Sequence, residues 1–140
     1  LLIGIAYLII TKINELSTWV ISSFSIVLLL SVYFVLQAPM SLKLSDDKLT
    51  ICKLAGVKEI SFSAIEKIEP YKDYHSDTRL MGNGGFLGYT GLFRNKELGK
   101  YTAFIGNYSQ AFYIRTKSGK IYVTSSEQRE EIIRQIQLKL

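Results

Sequence analysis

The stretch AFYIRTKSGKIYVTSS, Ala111–Ser126, decides how this chain folds. AFYIRT (111–116) and IYVTS (121–125) are rich in β-branched and aromatic residues, which suit a pleated, partly buried surface. Between them lies Lys117–Lys120, a polar link containing Gly119. Two strand-like runs joined by K-S-G-K predict a β-hairpin.

Past the hairpin the pattern becomes helical. Ser125 followed three residues on by Gln128 has the form of a capping box. Glu127, Glu130 and Glu131 fall in the first turns and Arg134 and Lys139 in the last, matching the helix dipole. Ile132, Ile133, Ile136 and Leu140 make one apolar stripe. A helix over 126–139 is expected, covering the open end of a sheet or barrel.

Upstream, the period is two. LKLS (42–45), KLTICKL (48–54), VKEISF (57–62), Lys67–Tyr71 and YTAFIG (101–106) read as further short strands. Asp46-Asp47 and Ala55-Gly56 supply turns. Leu49 and Ile51 share one strand face, with Cys52 on the other. About seven antiparallel strands and a terminal helix describe a small barrel or a bent two-sheet sandwich capped by that helix.

The least ordinary stretch is RLMGNGGFLGYTGLFRN, residues 79–95. Five glycines alternate with Phe86, Tyr89 and Phe93. It fits no nucleotide motif: no Lys-Ser/Thr pair follows, and Leu87 stands where G-x-G-x-x-G needs glycine. One reading is structural, with glycines serving positive φ, a bulge or close strand approach at a barrel corner. The other is a loop that contacts a small anionic ligand or a partner. Its contact residues would be Arg79, Gly82, Gly84, Gly85, Gly88, Gly91 and Arg94.

The N-terminal part has different chemistry. Leu16–Leu42 holds no charge, and a bilayer core takes about 20 apolar helical residues. Trp19, Tyr33 and Phe34 sit near its ends like interfacial anchors. Leu1–Thr11 is also apolar but short, and the chain begins without Met; it reads as the second half of a truncated first transmembrane helix. Lys12–Ser17 is the expected turn. Residues 1–40 then form a membrane helical hairpin and 41–140 one folded domain. Lys43, Lys48, Lys53 and Lys58 outnumber Lys12 in the turn, which places the domain on the cytoplasmic side.

Sixteen of the seventeen Lys/Arg and eleven of the twelve Asp/Glu follow residue 42. The net charge of +5 is spread along the domain, without the basic stripe of a nucleic-acid binder. Cys52 is the only cysteine, which excludes an internal disulfide. His75 is the only histidine; with Asp73 and Asp77 at i±2 it lies in a polar loop that offers no nucleophile. No metal site, cofactor or catalytic set is expected, and the chain is read as not an enzyme.

The order of elements, with R79–Y101, AFYIRTKSGKIYVTSS and EQREEIIRQI, resembles the bacterial pleckstrin-homology-like (bacterial PH) domains found behind two transmembrane helices. The resemblance covers roughly 41–140. It implies a seven-stranded barrel with a C-terminal helix plugging one end, in a multi-pass protein of the bacterial cytoplasmic (inner) membrane. The expected partners are the lipid bilayer and a protein, and no single activity is implied. Phosphoinositide-binding members carry Lys/Arg clusters at the first strand pair. Here that loop is Ser45-Asp46-Asp47, whose carboxylates repel phosphate.

Overall fold

The computed structural model describes residues 2–140. Backbone contacts divide the chain into two compact units, Leu1–Val32 and Tyr33–Leu140.

The first unit is one helix. α1 runs unbroken over Leu2–Leu36, none of its residues is buried, and it is long and apolar enough to cross a membrane. The expected hairpin is therefore corrected: Lys12–Ser17 is helical, and among the described residues there is one candidate span. The physical reason is local. Between Gly4 and Pro39 the sequence has no glycine or proline, and Lys12, Glu15 and Leu16 are good helix formers. The hydroxyls of Thr11 and Thr18 bond back to the carbonyls of Tyr7 and Asn14 at 3.0 and 2.9 Å. Ser25 and Ser31 do the same to Ile21 and Val27. These four hydroxyls are thereby satisfied without breaking the ladder.

The second unit is a β-sandwich with a C-terminal helix. β1 (Pro39–Leu44), β2 (Lys48–Lys53) and β3 (Val57–Ser61) form a three-stranded antiparallel sheet. The larger sheet has six strands. They are β4 (Ile65–Pro70), β5 (Thr78–Gly84), β6 (Tyr89–Asn95), β7 (Gly99–Ile105), β8 (Ala111–Thr116) and β9 (Ile121–Ser125). Their order is β4-β8-β9-β7-β6-β5. Nine strands replace the expected seven because the glycine segment is itself a hairpin, β5–β6. The two sheets do not close into a barrel. The 3₁₀ turn Phe62–Ala64 carries the chain from β3 to β4 without pairing them. The all-antiparallel expectation is also corrected, since β7 and β9 pair in parallel.

Alternation along the central strands builds two cores. Phe104, Phe112, Ile114 and Tyr122 face the small sheet, where Leu49 and Ile51 are fully buried. α2 (Arg129–Gln137) covers this core with Ile132, Ile133 and Ile136. Ala103, Ile105, Tyr113 and Val123 point the other way, into a second core that includes Tyr71, Phe93 and Tyr101. Burial on both faces explains why AFYI and IYV read as continuous apolar runs. The capping box does not form. α2 starts from Gln128 without a side-chain cap, and Ser125 Oγ instead accepts from the Gly106 and Asn107 amides at 2.8 and 3.1 Å.

Candidate functional site

The glycine segment is shaped by one cross-strand pair. Gly82 lies opposite Gly91, both at positive φ (136° and 124°). A Cβ on Gly82 would collide with the Thr90 carbonyl and lie 2.8 Å from Gly91 Cα. Real side chains do not fit between these backbones, so close strand approach is what these two glycines serve. Gly85 and Gly88 close the turn through an amide-to-carbonyl bond of 3.1 Å. Leu87, at φ 54°, stands between them with Phe86, and both side chains are exposed. Gly84 makes room for Arg79: a Cβ there would sit 2.8 Å from a guanidinium nitrogen.

Arg79 and Arg94 do not converge. Arg79 pairs in register with Phe93, and Arg94 is the next residue along, so their side chains leave opposite faces of the hairpin. Arg79 lies in a cleft of about 340 Å³ with Tyr74, Asp77, Gly84, Tyr89, Phe93 and Tyr108. Among the described residues it makes no ion pair. Tyr108 stacks on Tyr74 at 4.9 Å between centroids and meets Tyr89 edge-on at 4.6 Å.

Asp77, in the lining of the cleft, belongs to a buried polar network that sequence reasoning missed. Both oxygens of Asp77 are engaged: Oδ1 accepts from the Tyr71 hydroxyl and Oδ2 from that of Tyr101. Asn95 Nδ2 also donates to Asp77 Oδ1 at 2.8 Å. The same amide group reaches the Asp73 carbonyl at 2.8 Å and Ser76 Oγ at 2.9 Å. Asn95 Oδ1 accepts from the amides of Glu97 and Leu98, fixing the β6–β7 turn. Burial pushes the Tyr71 and Tyr101 phenols far above their ordinary range, and their bonds to the Asp77 carboxylate push the same way. Tyr108 is raised by burial to about 12. These phenols are neutral donors at any physiological pH. Asp77 is thus held by two tyrosines and Asn95. The available signal was the abundance of tyrosine, nine in all, since a buried phenol needs an acceptor.

The second unit is thus a small β-sandwich with a helix over one core and an aromatic cleft beside the other. The family model for the bacterial PH domain matches residues 40–140, and the chain belongs to that family. PH domains are in general non-catalytic binding modules. Comparison with curated proteins and with solved structures gave no match.

Proposed function

We propose that this chain is a membrane-anchored, non-catalytic interaction module, with α1 as the anchor and the tyrosine cleft as the recognition surface. The domain faces the cytoplasm in this reading, because Lys43, Lys48, Lys53 and Lys58 follow the span. The observation that carries the reading is Arg79. Its guanidinium, without an ion pair among the described residues, lines a cleft with three tyrosines, Tyr74, Tyr89 and Tyr108. A guanidinium forks onto planar anions, and flanking aromatic faces hold what the anion is attached to. The recognised group is an anion, presented by an acidic side chain of a protein partner.

A second reading makes the anion part of a small molecule or a lipid head group. The size of the cleft favours it, since about 340 Å³ lies within the usual range for small-molecule sites.

Full chain purified in detergent separates these readings. Recovery of one protein by the wild type, lost with Arg79→Ala, supports the first. Thermal stabilisation by inorganic phosphate or a dicarboxylate, lost with the same variant, supports the second. Arg79→Ala matching the wild type in both assays refutes the site.

A further inference from the structure

Residues Tyr33–Leu36, the last turn of α1, belong to the folded second unit and are fastened to it at two places. The Thr90 hydroxyl, in a side chain with no exposure, donates to the Phe34 carbonyl at 3.1 Å. On the other side, the Ala55 amide donates to Leu36 O and the Leu54 amide to Ala38 O, both at 2.9 Å. Two hairpin turns therefore flank the point where α1 enters the domain.

Both turns carry exposed apolar tips. In the β2–β3 turn Leu54 is 49% exposed. In the β5–β6 turn Phe86 is 65% and Leu87 53% exposed. Register places the two turns at one end of the sandwich. Tyr89 pairs with Ile105, Thr90 pairs with Phe104, and the Lys53 ammonium stands 5.7 Å from the centre of the Phe104 ring. β6 begins at Tyr89, so the 85–88 turn is the part of its hairpin beyond the Thr90 attachment. The β8–β9 turn lies at the other end, because Tyr122 of β9 is level with Thr102 near the start of β7.

Single exposed apolar side chains are ordinary. Paired tips on both sides of the end of a candidate membrane span are not explained by the fold: none of Leu54, Phe86 and Leu87 is part of either core. We propose that these two turns enter the lipid interface, so that α1 and the tips hold the domain in one orientation on the bilayer. The occupant of the apolar surface is lipid, because the surface continues the aromatic end of the span, Tyr33 and Phe34, whose rings meet at 5.4 Å. Lys53, bonded to Gln37 Oε1 at 2.5 Å, sits just behind the tips, where anionic head groups attract an ammonium. This inference rests on the anchor reading above, and its test is arranged to fail separately from it.

The full chain is reconstituted into phosphatidylcholine–phosphatidylglycerol vesicles with plain or brominated acyl chains. Trp19 is the only tryptophan, so the unmodified chain reports whether α1 is in the bilayer. In a Trp19→Phe background, Phe86→Trp and Leu54→Trp report the two tips, and Ser118→Trp reports the opposite end. Leu87→Trp stands in if the first substitution disturbs folding, which circular dichroism checks. The expected result is at least ~2-fold quenching with a blue shift at both tips, as for side chains about 5–10 Å into the head-group boundary, and none at Ser118→Trp. A quenched Trp19 with unquenched tips overturns the proposal and leaves the anchor standing. Equal quenching at Ser118→Trp overturns it as well. An unquenched Trp19 overturns both readings.

Discussion

Replacing Asp77 by alanine is the sharpest perturbation of the tyrosine network. The carboxylate takes three donors, and their fates differ. Asn95 Nδ2 keeps the Asp73 carbonyl and Ser76 Oγ. Tyr101 keeps only a 3.4 Å approach to the Tyr108 hydroxyl, and Tyr71 keeps nothing. These two side chains are 1% and 4% exposed, so water does not readily replace the lost acceptor. Each buried polar group left unsatisfied costs about 1–3 kcal/mol, which places Asp77→Ala at roughly 2–5 kcal/mol. Tyr101→Phe takes away the donor to Asp77 Oδ2 while Oδ1 keeps Tyr71 and Asn95, so about 1–3 kcal/mol is expected. The double variant should then cost less than the sum, since the phenol that Asp77→Ala strands is gone. Urea unfolding of the full chain in detergent, followed by near-ultraviolet circular dichroism, measures all three. Asp77→Ala within about 0.5 kcal/mol of wild type, the range of an ordinary surface change, would refute the network as a structural element.

The pH dependence has a definite sign. Tyr71 and Tyr101 hold their protons in the folded state well above their ordinary value of about 10, so their contribution is complete below pH 10 and is lost as pH rises beyond it. The melting temperature should fall above pH 10, with a shallower fall in Tyr101→Phe; equal slopes would count against it. Gly91→Ala places a Cβ 2.7 Å from Gly82 Cα at φ 124°, and should cost more than about 3 kcal/mol by thermal unfolding. Gly119→Ala at φ 86° meets nothing within 4 Å and should cost only the left-handed penalty of about 1–2 kcal/mol. Ile136→Ala empties a fully buried site in the core that α2 covers, at about 2–5 kcal/mol in the same assay.

What the sequence disclosed followed the range of the interactions. The β8–β9 hairpin was legible to the residue because KSGK and its flanking strands are local chemistry. Of the expected stripe, Ile132, Ile133 and Ile136 on α2 were legible for the same reason, whereas Leu140 lies past the end of α2 and is exposed. Polarity misled at Lys12–Ser17, where helix formers with no glycine or proline continue a helix whatever their charge. The β5–β6 hairpin stayed hidden because glycines have no side chains to show a period, and the opposition of Gly82 to Gly91 exists only in register. The cleft was half legible. Arg79 stood out, but Asp77, Asn95 and Tyr101 meet across 18 and 24 residues, and no spacing announces that.

The strand order carries a consequence for how the domain is made. β8 and β9 lie between β4 and β7, so the two halves of the large sheet touch only through a hairpin synthesised after both. Until residues 111–125 emerge from the ribosome, β4 and the β5–β7 meander remain separate pieces with open edges. Completion then means inserting a preformed local hairpin into a gap, with one side closing in parallel across the chain. Such non-local closure is slow and leaves unpaired edges exposed meanwhile. A nascent chain stalled before Ala111 would therefore be the aggregation-prone species of this protein, whatever the stability of the finished fold.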